Sequence, residues 1–265
     1  MEIREFAERI LHADTIAEKL WQPEGGIDAL TDVEPGLPVH WSEPGRPAEL
    51  QIASRKERKK LPALAAMDQP QMRVRVLHTF ANHELMALEL MAWALLAYPD
   101  TGAAFRRGLA HILADEQRHL RLYMDRIVAH GAVFGDLPVN DHFWRCAPSL
   151  TTPLKWVSAM NLVFEQANLD FAPIFGRQFE LVGDLESAEL MKVIERDEIH
   201  HVGFGAHFLK KHTPAGQSTY DVWVENLTFH NSPDRARGAD FNAEARLQSG
   251  LDEEFVARIR DTLKG

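Results

Sequence analysis

The sequence predicts an all-α protein built on a four-helix bundle, with an N-terminal arm before it and short helices after it. Three observations carry this. From about residue 70 to residue 212, apolar positions recur at helical spacing, and no alternating strand pattern bounded by turns interrupts them. Turn signals punctuate the stretch at Pro99-Asp100, Gly131, Thr152-Pro153, Gly183-Asp184 and Thr213-Pro214. The second pair of long helices also repeats features of the first, as set out below.

Residues 3–20 alternate apolar and charged positions, so the chain opens on an amphipathic helix. Residues 22–50 are rich in proline and glycine and read as an extended connecting arm. Together they form a region 1–69 ahead of a bundle spanning 70–212. The first long helix runs to about Tyr98, where Pro99 stops it. Asp100 caps a second helix that ends at Gly131. Residues 131–151 form a crossover rich in aromatics and proline. Thr152-Pro153 sets an N-cap and a first-turn proline for a third helix, which reaches about Val182 with a kink at Pro173. Gly183-Asp184 turns the chain into a fourth helix ending near Lys211. Residues 213–265 hold short helices over 219–230, from Ser232-Pro233, over 241–248 and from Asp252, packed on the bundle as part of a single domain.

Composition narrows the function classes. With 45% apolar and 26% charged residues, the chain has the balance of an ordinary globular protein. No apolar run reaches the ~18 residues of a membrane span. The first twenty residues are charged throughout and lack a signal peptide's apolar core. Cys146 is the one cysteine, so no internal disulfide asks for an oxidising compartment. The expectation is a cytoplasmic protein without a membrane partner. A net charge of −10 disfavours nucleic acid, and the run Arg55-Lys56-Glu57-Arg58-Lys59-Lys60 reads as a solvated helix face or linker.

The chemistry lies in two matching strings, Asp115-Glu116-Gln117-Arg118-His119 and Asp197-Glu198-Ile199-His200-His201. Each is preceded by a glutamate in an apolar helical stretch, Glu84 in the first half and Glu165 in the second. Glu84 lies 16 residues before Asp100 and Glu116 lies 16 after it. In antiparallel helices rising ~1.5 Å per residue, equal distances from the turn put two residues at one height. Glu165 lies 18 before Gly183 and Glu198 lies 15 after it, level within about one turn. Glu116 shares a helix face with His119, and Glu198 with His201. Ala81, Leu85, Leu88, Leu113, Leu120, Leu162, Phe164, Ile194 and Val202 supply apolar bulk around them. Four carboxylates buried there would repel one another, and two divalent cations would neutralise them. A lone Glu-x-x-His is most often an amphipathic surface; two copies with matched upstream glutamates point to metal ligands.

The repeat separates the candidates on the first helix. Glu84 and Glu89 point about 140° apart. Glu84-x-x-x-Leu88-Glu89 matches Glu165-x-x-x-Leu169-Asp170, so Glu84 is the ligand, and Glu89 and Asp170 are near-site or surface acids. Asp115 and Asp197 adjoin ligands and are candidates to accept the second N–H of a ligating imidazole, or else are exposed helix acids. Tyr123, one turn after His119, is a candidate catalytic residue or a core tyrosine. Gly203 and Gly205 leave space for a cavity, a helix distortion or close packing. His83 and His200 read as hydrogen-bonding or surface residues, and His78, His111 and His207 as structural. Asn242 and Arg246 fold back over the bundle or do not.

Several strings resemble an uncharacterised family of ferritin-like domain proteins, distantly similar to di-iron hydroxylases and ferritins. They are His83-Glu84-Leu85, Asp115–His119, Phe134-Gly135-Asp136, His142-Phe143-Trp144, residues 164–173, residues 197–205 and Phe241-Asn242-x-x-Ala245-Arg246. The resemblance spans about residues 70–250 and implies the fold and the metal site, but no substrate. Helix–turn–helix, crossover, helix–turn–helix is also ferritin-like connectivity. The leading expectation is an oxygen-activating oxidoreductase holding two iron ions, or manganese with iron, on Glu84, Glu116, His119, Glu165, Glu198 and His201. It would act on a small organic substrate with O₂ and an electron donor. A ferroxidase or metal-storage protein, a tRNA-modifying hydroxylase and a non-catalytic helical scaffold are the alternatives. The extensions on both sides of the bundle suit a covered site or a homodimer rather than a storage shell.

Overall fold

A computed structural model describes residues 1–50, 52–54, 57, 60–228 and 231–262. Arg55, Lys56, Arg58 and Lys59 of the basic run lie outside the described residues. Among those described, every regular element is helical, and extended pairing is limited to isolated bridges at Glu2–Thr31 and Ile52–Val139. No helix among them is long and apolar enough to cross a membrane. The chain divides within the crossover into two compact units, Met1–Ala147 and Pro148–Gly265.

The first unit carries α1 (Ile3–His12), α2 (Ile16–Lys19), α3 (Pro70–Ala97) and α4 (Ala103–Ala129). The single helix expected over 3–20 is two helices, because Thr15 caps α2 by accepting the Glu18 N–H at 3.2 Å. Asp100 does not cap α4. Pro99–Thr101 form a 3₁₀ turn, and Gly102, at φ +86°, supplies the left-handed backbone from which α4 starts. The arm is a strap held by polar anchors. Buried Arg106 binds Asp32 through Nε at 2.9 Å and donates from Nη1 to the Leu95 carbonyl at 2.6 Å. Val39 N–H donates to the Leu96 carbonyl at 3.0 Å, so two carbonyls left open at the end of α3 are satisfied by neighbouring chain. Trp93 Nε1 donates to the Trp41 carbonyl at 2.9 Å.

The second unit begins at α5 (Pro153–Ala159), capped by Thr152, whose hydroxyl accepts the Lys155 N–H at 3.2 Å. A π-helical turn, Met160–Glu165, carries it without a break into α6 (Gln166–Leu181). Gly183, at φ +77°, and Asp184, which accepts the Ser187 N–H at 3.2 Å, turn the chain into α7 (Leu185–His212). Short helices follow: α8 (Thr219–Glu225), α9 (Ala243–Gln248) and α10 (Glu253–Arg260). The helix expected from Ser232-Pro233 is a 3₁₀ turn, Pro233–Ala236. Pro173 lies inside α6 without ending it. Its missing N–H leaves the Leu169 carbonyl without a helical donor, and Asn242 Nδ2 supplies one at 3.4 Å.

Glu89 and Asp170, expected beside the site or at the surface, are fully buried ion-pair anchors instead. Glu89 takes both arms of Arg46 (3.1 and 2.6 Å), Lys19 Nζ at 3.2 Å and Trp144 Nε1 at 2.8 Å. Asp170 takes Arg246 at 2.7 and 2.9 Å and the backbone N–H groups of Gly238 and Asn242, both at 2.7 Å. The two acids are repeat-equivalent. Each fastens its own unit's terminal extension to a long helix through a paired charge, which burial demands.

Candidate metal centre

In the first unit, Glu84 comes from α3, and Glu116 and His119 from α4. All three are buried, and a ligand-type atom of each lies within 4.8 Å of the others. His119 Nδ1 is 3.5 Å from Glu116 Oε2 and 3.8 Å from Glu84 Oε2. The helices bring the carboxylates level because both residues stand equally far from the connecting turn. Burial and the adjacent Glu116 push the Glu84 carboxyl well above the usual carboxylate range, with His119 opposing.

In the second unit, Glu165 closes the π turn, and Glu198 and His201 come from α7. They too are buried and lie within 4.8 Å of one another. His201 Nδ1 is 3.4 Å from Glu198 Oε2, the same arrangement as His119 with Glu116. Two side chains not singled out from the sequence reach these carboxylates. Asn161 Nδ2 donates to Glu165 Oε2 at 2.5 Å and to the His201 carbonyl at 3.3 Å. Asn168 Nδ2 donates to Glu198 Oε1 at 2.7 Å. A π turn adds a residue to the helical ring and re-aims the side chains it carries. Gly205 of α7 lies against it: a Cβ there would stand 2.5 Å from the Asn161 Cβ.

Each triad is a buried set of two carboxylates and one imidazole. Oxygen-rich donors with one nitrogen suit divalent iron, manganese or zinc. The elevated Glu84 carboxyl shows what such a set costs without a cation: carboxylates brought this close in an apolar surround resist ionising together. The residues therefore fit a divalent metal.

The other candidates fall as follows. Asp115 accepts from Arg118 at 2.8 Å at a partly exposed position, and the mostly buried Asp197 accepts from Arg196 at 3.3 Å. Tyr123 is buried, its ring 5.8 Å from that of Phe80. His83 stands beside Phe143, and burial and His142 lower its pKa to about 4. His200 is exposed. His78 is structural: its Nε2 accepts the Gly135 N–H at 3.0 Å. His111 and His207 are exposed and hold no core, His111 meeting Asp28 at 3.1 Å. Gly203 also sits in a close approach, since a Cβ there would stand 3.1 Å from the Ser249 carbonyl oxygen. Asn242 and Arg246 fold back onto α6.

The chain belongs to the DUF455 family, described as proteins of unknown function, which it matches over residues 4–257. An uncharacterized protein of Haemophilus influenzae is 23% identical to it over 200 residues, covering 71% of this chain and 69% of that protein. No solved structure matches the chain.

Proposed function

We propose that each triad holds a divalent metal ion, the two being iron with iron or manganese with iron. On this reading α3, α4, the continuous α5–α6 helix and α7 are the four long helices of a ferritin-like fold. The protein is then an oxygen-activating oxidoreductase acting on a small organic substrate. The observation that carries this reading is the duplicated donor set: in each unit a Glu-x-x-His imidazole turns Nδ1 to its own glutamate, at 3.5 and 3.4 Å, with an upstream glutamate beside it. Four carboxylates neutralise two divalent cations, which answers the repulsion felt at Glu84.

Glu116 with His119, and Glu198 with His201, each supply a carboxylate and an imidazole. Glu84 and Glu165 would complete the donor sets. When bound, such metals supply the redox chemistry that couples reduction of O₂ to oxidation of a substrate. The chain contributes geometry and dryness: Leu85, Leu88, Leu113, Leu120, Leu162, Ile194 and Val202 are buried and keep water from the charges. Elemental analysis of protein purified without chelator tests the reading. Two iron or manganese ions per chain are expected in the wild type, lost in Glu116→Ala/His201→Ala, with O₂ consumed by the reduced, loaded protein. Absence of stoichiometric metal after anaerobic Fe(II) loading would overturn it.

A further inference from the structure

We infer that Arg246 and Gln166 are positioning residues that hold the π turn, and through it Glu165, in the register of the second unit's triad, an inference that rests on the di-metal reading above. The C-terminal segment that carries Arg246 is then coupled to metal binding and not only packed onto α6.

One carbonyl of the π turn loses its ordinary helical donor. The backbone N–H of Gln166 bonds the Asn161 carbonyl five residues back and the Val163 carbonyl three back. It passes over Leu162, four back, which an α-helix would use. The side chain of the same residue takes that carbonyl instead. The Gln166 amide, oriented as its neighbours require, donates from Nε2 to the Leu162 oxygen at 2.7 Å and accepts the Arg246 Nε–H at 3.1 Å. Gln166 is fully buried, so both bonds form away from water. The repeat-equivalent residue, 81 positions earlier, is Leu85, and α3 runs through it as plain α-helix. The amide accompanies the π turn and not the repeat.

Arg246 is fitted to that amide as well as to its ion pair. It reaches α6 from α9, 80 residues along the chain, and is fully buried. Its fork takes Asp170 at 2.7 and 2.9 Å, and the other two Nη hydrogens go to the carbonyls of Asn242 at 3.0 Å and Ala236 at 2.9 Å. Those contacts by themselves fasten the C-terminal segment. The Nε–H goes to Gln166, and with it all five guanidinium hydrogens are used.

The chain of bonds ends at a ligand. Glu165 is the last residue of the π turn and adjoins Gln166. Asn161, whose carbonyl takes the Gln166 N–H, donates from its side chain to Glu165 Oε2 at 2.5 Å and to the His201 carbonyl at 3.3 Å. Returning the Gln166 N–H to Leu162 would restore the α register and turn the helix before the π turn against the helix after it by about 100°. Either Glu165 would leave Glu198 and His201, or α5 would leave its seat on α7. The π turn lets one helix satisfy both, and Gln166 with Arg246 keeps it from relaxing. Partners that orient metal ligands are worth about 10–100-fold in affinity. The coupling is reciprocal: a contact that tightens metal binding is itself steadied by metal.

The test follows amide hydrogen exchange, segment by segment, in chelator-stripped full-length protein titrated anaerobically with Co(II), with calorimetry counting the ions. In the wild type, Co(II) should slow exchange in α4 and α7, and also in α9 and the 3₁₀ turn at Pro233–Ala236, which hold no ligand. Gln166→Met keeps the volume and removes both amide bonds. Arg246→Lys keeps a cation for Asp170 and removes the Nε–H. Each should raise the Co(II) midpoint read on α7 about tenfold, leave the midpoint read on α4 in place, and end the response of α9. Variants that lower the melting temperature and move both midpoints together would show a merely structural role and overturn the inference. An α9 indifferent to Co(II) in the wild type, or an α7 midpoint unchanged in both variants, would also overturn it, while two bound ions would leave the di-metal reading intact. Failure of the wild type to bind Co(II) would overturn that reading and the inference with it.

Discussion

A single missing methyl group sets the distance between the π turn and α7. Gly205→Ala would force its Cβ to within 2.5 Å of the Asn161 Cβ, an atom fixed to its backbone, so one of the two helices must shift. Overpacking of this kind costs about 1–3 kcal/mol, so the denaturant midpoint of Gly205→Ala should fall below that of the wild type. His78 sets a second residue-scale expectation. Its Nε2 accepts the Gly135 N–H, so the ring is neutral, and burial lowers its pKa from 6.5 to about 4. Between those values the unfolded chain binds the extra proton, so this contribution to stability is present above pH 6.5 and is lost as pH falls toward 4. The full effect is on the order of 3 kcal/mol. His78→Gln keeps an acceptor that does not titrate and should flatten that part of the pH–stability curve.

Among elements, the two buried acids explain how the extensions are fastened. Removing one partner of a buried charge pair costs about 3–5 kcal/mol, because the survivor is left desolvated. Arg246→Ala leaves Asp170 with the backbone donors of Gly238 and Asn242 but without its guanidinium. It should fall in that range by chemical unfolding, and the 3₁₀ turn at Pro233–Ala236 should become accessible to protease. Arg46→Ala should cost less, since Glu89 retains Lys19 and Trp144. Replacing both partners, as Asp170→Leu/Arg246→Met, should recover most of the loss. A double variant as unstable as Arg246→Ala would show that packing, not the orphaned charge, dominates.

For the molecule as a whole, the duplicated triads tie stability to pH and to metal. In metal-free protein the folded Glu84 carboxyl titrates above 4.5, so the folded state holds that proton more tightly than the unfolded chain. Its contribution is fully present below pH 4.5 and is lost as pH rises through the elevated value. With chelator present, the melting temperature should therefore fall over this window, and Glu84→Gln should remove that fall. Bound divalent metal reverses the sign, because cations compete with protons for the carboxylates. The loaded protein should gain melting temperature as pH rises, and the gap between loaded and stripped samples should widen. Equal slopes with and without metal would count against the proposed site.

What the sequence determined by itself is one-dimensional: helical class, where helices start and stop, and how far each candidate ligand stands from a turn. Thr152 and Asp184 cap helices because local side-chain geometry decides caps. Counting from the turns was enough to set Glu84 level with Glu116 and His119, since a helix converts residue number into height. Tertiary structure alone decided what depends on partners distant in the chain. Glu89 and Asp170 resemble surface acids until Arg46, 43 residues away, and Arg246, 76 away, are seen to neutralise them in the interior. Asp100 yields to Gly102 at the start of α4 because the turn needs a positive φ that a side chain disfavours. The π turn, and the amides of Asn161 and Asn168 that it helps to aim, depend on how closely α7 can approach. That distance is set by Gly205, 44 residues beyond Asn161, and by no periodicity of the helix itself.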